Sequence, residues 1–240
     1  MEEFIKIFND FAKLFDISNE PLLMMKYHHS QRVMDLCKDI ARSINLSERE
    51  VLLASVCGLF HDVGRFPQYT KYKTYEDSKS IDHGDVGESI LRNLLINNFN
   101  LTDKEKEVVL FSTKEHNKKI ISECDDLTRT MTNIVRDADK LDIMKLQCNK
   151  IYDETIVLKD ILLNSIYNGT TVNNADVLND TDGVLRCLSW VNDFNYDFSY
   201  KYLLDEEIVG NKFKLLEMYG ITDEEKKLKE YVYSKLNGGK

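Results

Sequence analysis

Apolar residues along this chain recur at three- and four-residue spacing far more often than they alternate. From Leu22 to Ile44, the positions Leu22, Met25, His29, Val33, Leu36, Ile40 and Ile44 fall on one helical stripe. The run 51–60, "VLLASVCGLF", is apolar on every side, which predicts the most buried helix of the fold. Start signals punctuate the pattern. "SERE" at Ser47–Glu50, "TDKE" at Thr102–Glu105 and "TDEE" at Thr222–Glu225 are capping boxes, and "SNEP" places Pro21 in the first turn of the helix that carries the stripe. Helices are predicted at roughly 2–15, 22–43, 51–60, 85–98, 103–117, 126–148, 156–168, 182–194, 198–218 and 222–237. The segment 67–82, "PQYTKYKTYEDSKSID", reads as one long polar loop, of a length that in a compact helical domain usually serves a function.

Composition sharpens this into an all-α expectation. Only two Pro and ten Gly interrupt 240 residues, so little breaks the helices. The stretch 168–183, "NGTTVNNADVLNDTDG", marks the expected joint between a core at 1–168 and a C-terminal helical extension at 169–240 packed on it, unless the two form a single domain. A net charge of −9 without a basic block excludes a broad nucleic-acid footprint. It leaves room for a small phosphorylated ligand, because a local pocket or a metal can override the global sign. The N-terminus has no basic leader and no run is long enough to span a bilayer, so no membrane association is expected. The five cysteines, Cys37, Cys57, Cys124, Cys148 and Cys187, are scattered and odd in number, as reduced thiols of a cytoplasmic protein would be.

The candidate chemistry is concentrated in the first two thirds. "GLFHDVGRF", residues 58–66, sets His61 and Asp62 at the end of the most apolar run. A His-Asp dipeptide alone is weak evidence, so its partners decide. All five histidines, His28, His29, His61, His83 and His116, lie between residues 28 and 116. His29 is on the apolar stripe, His61 ends a helix, His83 begins one and His116 ends another. In "IVRDADKLDIM", residues 134–144, Asp139 shares a helix face with Val135 and Ile143. One inward histidine is ordinarily a hydrogen-bonded core residue. Several, together with two inward aspartates, would each carry a desolvation cost that one shared cation removes.

His29 in "HHSQRV", His61-Asp62 in "HDVGRF" and Asp139 in "DADKLD" resemble the HD-domain superfamily of metal-dependent phosphohydrolases. His83 in "DHGDVG" and His116 in "KEHNKK" are similar to the extra histidines of its two-metal subset. The likeness covers about residues 22–146. It implies an HD-type helical bundle and one or two divalent transition-metal ions (Fe, Mn, Zn, Co or Ni). His29, His61, Asp62 and Asp139 would hold the first ion and His83 and His116 the second, with Asp62 as the shared, catalytic bridge. The family pattern and the helix face both select Asp139, leaving Asp137 and Asp142 beside the ligands or facing solvent, and His28 to packing or surface.

The resemblance further implies hydrolysis of a phosphomonoester or phosphodiester of a small molecule, a nucleotide foremost, by a metal-activated water. Lys140, Arg65 and Lys79 are the candidate phosphate contacts, with Lys140 also placed in catalysis. Tyr69, Tyr72 and Tyr75, interleaved with Lys71, Lys73 and Lys79, either close over a nucleotide or form an ordinary solvated loop. The aromatic run Trp190, Phe194, Tyr196, Phe198, Tyr200 and Tyr202 reads as helix packing. The "HDVVED"-like stretch of guanosine-tetraphosphate hydrolases, the "HHExxxGxGYP" signature of cyclic-di-GMP phosphodiesterases and the Gly- and Pro-rich run of deoxynucleotide triphosphohydrolases are all missing, so no substrate is assigned. A non-catalytic nucleotide- or metal-binding sensor and an HD-type di-iron oxygenase are the other two readings.

Overall fold

The computed structural model describes residues 1–146, 149–220 and 222–238. Every regular element among them is helical, as the spacing predicts. The α-helices are α1 (Glu2–Ala12), α2 (Pro21–Ser43), α3 (Glu48–Phe60), α4 (Arg65–Tyr72), α5 (His83–Ile90), α6 (Asp103–Glu115), α7 (Asp126–Leu146), α8 (Asp160–Tyr167), α9 (Asp180–Ser189), α10 (Asp197–Asp205), α11 (Ile208–Leu216) and α12 (Asp223–Gly238). The chain separates into two compact units, Met1–Asp139 and Lys140–Lys240.

In the first unit α3 is the central element. Val51 and every residue from Leu53 to Phe60 are buried. Ser47 and Glu50 close its N-terminus as a capping box, and Thr102 and Glu105 do the same for α6. The α2–α3 seam is tight: a Cβ on Gly58 would lie 2.7 Å from Cys37 Sγ and 3.0 Å from the Val33 carbonyl. The stripe of α2 is rotated slightly from the expected one. Leu23 and Lys26 are buried, whereas Leu22 is 44% exposed. In the second unit Phe194 and Tyr200 are buried and pack edge-to-face at 5.9 Å, so part of the aromatic run serves packing as expected.

Three elements differ from the sequence expectation. The supposed loop 67–82 begins as helix α4. Pro67 is its third residue, where no backbone N–H partner is required, and Phe66 is fully buried among the rings of Phe8, Phe11 and Phe15. Lys73 then ends the helix in the left-handed region, φ 53°. The helix expected at 85–98 stops at Ile90 and widens into a π turn, Leu91–Leu95, which brings Leu91 and Ile96, five residues apart, both into the core. The helix expected at 198–218 breaks at Asp205-Glu206-Glu207, where acidic side chains oppose the negative helix end and Glu207 turns to φ 51°. The helices expected at 156–168 and 182–194 are α8 and α9, the latter followed by a 3₁₀ turn at Trp190–Asn192. The expected end of α7 at 148 and the thiol of Cys148 fall outside the described residues.

Candidate metal centre

Five segments of the first unit deliver the predicted ligands. His29 lies in mid-α2. His61 directly follows α3, with Asp62 after it; His83 opens α5; His116 directly follows α6; Asp139 lies in α7. The four histidines and Asp62 are buried, 0–6% exposed, while the Asp139 side chain is 22% exposed and forms the open side of the cluster. Gly64 is what lets α5 come this close. A Cβ there would sit 2.1 Å from the His83 carbonyl oxygen, which no side chain allows.

The side chains converge on Asp62 from two directions. On one side His29 Nε2 lies 3.5 Å and His61 Nε2 3.6 Å from Asp62 Oδ2, and the same two nitrogens are 2.9 and 3.6 Å from Asp139 Oδ1. On the other side His83 Nε2 lies 3.4 Å and His116 Nε2 3.7 Å from Asp62 Oδ1, and 3.1 Å from each other. Ligand atoms about 2.0–2.2 Å from one ion stand roughly 2.8–3.6 Å apart at angles from 90° to tetrahedral. The observed separations match that spacing on both sides.

The histidine tautomers follow from the partners behind the rings. His61 Nδ1 donates to the Gly58 carbonyl at 2.7 Å and His116 Nδ1 to the Thr113 carbonyl at 2.8 Å; a carbonyl only accepts, so each Nδ1 carries the proton. His83 Nδ1 donates to Asp77 at 2.7 Å. Burial, reinforced by the nearby Arg65 charge, pushes the His83 pKa down to about 4 against the pull of Asp77, so the ring is neutral near pH 7. Nε2 is therefore the ring nitrogen that His61, His83 and His116 turn to the cluster. That of His61 is buried with no hydrogen-bond partner. Those of His83 and His116 face one another at 3.1 Å. An imidazole and carboxylate donor set of this kind fits a divalent transition metal.

Charge around the carboxylates is arranged to match. Burial raises the Asp62 pKa, but Lys26, His61, His116 and Arg65 together more than reverse this and hold it well below the usual carboxylate range. Burial likewise opposes ionisation of Asp139, and His29 and His61 override it. Asp62 and Asp139 are thus anionic at neutral pH.

The other predicted residues are distributed as follows. Arg65 reaches into the cluster, its Nε 3.4 Å from Asp62 Oδ1 while Nη1 binds Asp77, Gln68 and the Tyr75 carbonyl. Lys79 points away from the cluster, 68% exposed and paired with Glu76. Lys140, in the second unit, pairs with Asp193 Oδ2 at 2.7 Å and lies over the Phe194 ring. His28 is exposed, as expected. Asp137 and Asp142 are buried, so neither faces solvent. Tyr69 and Tyr75 pack on each other at 5.0 Å, with Lys73 over Tyr69, and with Lys26 and Arg65 over Tyr75, so these rings are engaged within the fold.

Two residues that contact the cluster escaped the sequence reading. Asp77 fixes the His83 ring and is itself held by Arg65, Gln68 and Asn117. Lys26, buried in α2, donates to Asp62 Oδ2 at 2.7 Å. Asp77, Asp82 and His83 also converge closely, but Asp82 caps α5 through Gly84 and Asp85 and pairs with Lys118, which makes this group a support of the main cluster.

Residues 27–144 match the family model of the HD domain. The matched segment contains all six converging side chains. HD domains bind divalent metal ions, and the superfamily includes metal-dependent hydrolases. No curated protein and no solved structure gives a significant match to the chain. Among the described residues no helix is long and apolar enough to cross a membrane.

Proposed function

We propose that this protein is a metal-dependent phosphohydrolase that cleaves a phosphomonoester or phosphodiester bond of a small molecule, with nucleotides as the leading substrate class. The observation that carries the reading is the double engagement of Asp62, one oxygen turned to His29 and His61, the other to His83 and His116. His29, His61 and Asp139 would hold one divalent ion and His83 and His116 a second, with Asp62 shared. When bound, such ions supply the Lewis acidity that lowers the pKa of a water molecule and neutralises charge on a phosphoryl group.

The chain contributes the rest. The carbonyls of Gly58 and Thr113, and Asp77, hold three imidazoles with Nε2 turned to the cluster. The apolar α3 backs the cluster and excludes bulk water. Arg65 supplies a fixed positive charge beside Asp62, and its buried Nε has no hydrogen-bond partner, leaving a donor for a phosphate oxygen. Burial holds the Cys37 and Cys57 thiols protonated, so neither is a nucleophile, which favours direct attack by water over a covalent intermediate.

The test is a panel of nucleotides, phosphodiesters and p-nitrophenyl phosphate, assayed with Mn, Fe(II), Co, Ni and Zn in parallel. Metal-dependent release of phosphate or p-nitrophenol, absent from folded Asp62→Ala and Asp139→Ala variants, is the expected result. Protein that binds metal stoichiometrically yet turns over nothing with any ion would overturn hydrolysis. Consumption of dioxygen during turnover would point to the oxygenase reading.

A further inference from the structure

Lys26 stands three residues before His29 on α2 and is 6% exposed. A buried ammonium is costly unless it is paired. Its partner is Asp62 Oδ2 at 2.7 Å, the oxygen that also faces His29 and His61. The Tyr75 ring lies 5.6 Å from the Lys26 ammonium and 5.7 Å from the Arg65 guanidinium, and the Tyr75 hydroxyl donates to the Leu22 carbonyl one turn before Lys26. The lysine is therefore fixed at its tip by Asp62 and covered by an aromatic face. Together with Arg65 at Oδ1, it gives each oxygen of Asp62 one protein cation and two histidine nitrogens.

We propose that Lys26 is a positioning residue that sets the metal affinity of the centre. It orients Asp62 before any ion arrives, then opposes the ion electrostatically because both act on the same carboxylate oxygen. The inference rests on the reading of the cluster as a metal centre. Two positive charges sharing one oxygen in a buried site repel strongly. The lysine thus trades tightness of metal binding for a site that is assembled without metal. A purely structural lysine would have the opposite signature. Its loss would loosen Asp62, and metal binding would weaken with it, as when other partners of metal ligands are removed.

The direction of the affinity change separates the two. Full-length protein stripped with chelator is titrated calorimetrically with Mn²⁺, and the metal-free forms are melted in parallel. Lys26→Met is expected to melt several degrees lower without metal, yet to bind Mn²⁺ more tightly, on the order of tenfold. Lys26→Arg is expected to restore both values towards wild type. If the methionine variant does not fold, Lys26→Gln, which keeps a donor for Asp62 without the charge, decides by the same criterion. Unchanged or weaker Mn²⁺ binding in a folded, charge-free variant, with wild-type binding intact, overturns this inference alone. Wild-type protein that takes up neither Mn²⁺, Fe²⁺, Co²⁺ nor Zn²⁺ overturns the metal-centre reading itself.

Discussion

His83 and His116 present their Nε2 atoms to each other at 3.1 Å, each ring with its Nδ1 proton already committed to a partner behind it. Those two nitrogens define one side of the centre. Replacing His116 by Ala removes one of the pair while leaving His29, His61 and Asp139 in place. Elemental analysis is expected to fall from two ions per chain to one, with activity reduced by a factor of about 100 or more. Wild-type protein that never exceeds one ion under saturating metal would rule out the dinuclear arrangement only.

Asp77 acts on the centre through the ring it holds. Asp77→Ala frees His83 Nδ1 and lets the proton move to Nε2, the ligand atom. Metal affinity on that side is expected to drop by about 10- to 100-fold. Asp77→Asn is expected to fall between, since its amide oxygen still accepts from Nδ1. Competition titration with a coloured chelator measures both.

Gly64 has a steric role that a mutation exposes directly. Gly64→Ala drives a methyl group into the His83 carbonyl, and the start of α5 must shift. A loss of about 1–3 kcal/mol or more is expected, read as a lowered thermal midpoint. The same shift misplaces His83, so metal stoichiometry should fall even where the protein remains folded. A variant as stable as wild type with full metal content would contradict the close approach of α5.

The thiols give a pH test. Burial pushes the Cys57 pKa up to about 12, and Cys37 is raised well above its ordinary value, so both stay protonated through the alkaline range. Alkylation of the native protein is expected at Cys124, which is partly exposed, and not at Cys37 or Cys57 up to about pH 10. Peptide mapping after a short iodoacetamide pulse checks this. Labelling of Cys57 at pH 8 without unfolding would contradict its burial.

How much of this the sequence disclosed depended on the kind of signal. His29, His61, His116 and Asp139 were readable because each interrupts an apolar pattern or closes a helix whose start is capped, and His83 because it opens a helix in line with them; polar groups in such places need a shared reason. Lys26 was invisible for the converse reason. A lysine one turn from a histidine on an otherwise mixed helix looks like an ordinary solvated residue, and only the fold turns it inward onto Asp62. Asp77 was hidden in a stretch rich in Asp, Ser and Lys, where composition favours solvent. The start of that stretch was misread because Pro67 looks like a helix stop, although in a first turn it is compatible with α4. Lys79 shared the polar character of Asp77, yet it faces outward while Asp77 faces in; charge alone does not separate them.

The described cysteines form no disulfide with one another. His29 and Asp139, more than a hundred positions apart in sequence, nevertheless meet within 2.9 Å. An ion gripped by both would close a loop of that span. It would restrict the unfolded chain much as a disulfide of equal reach does, a constraint that grows slowly with loop length. The centre would then act as a removable staple, and chelator would unfasten the first unit as reductant unfastens a secreted domain.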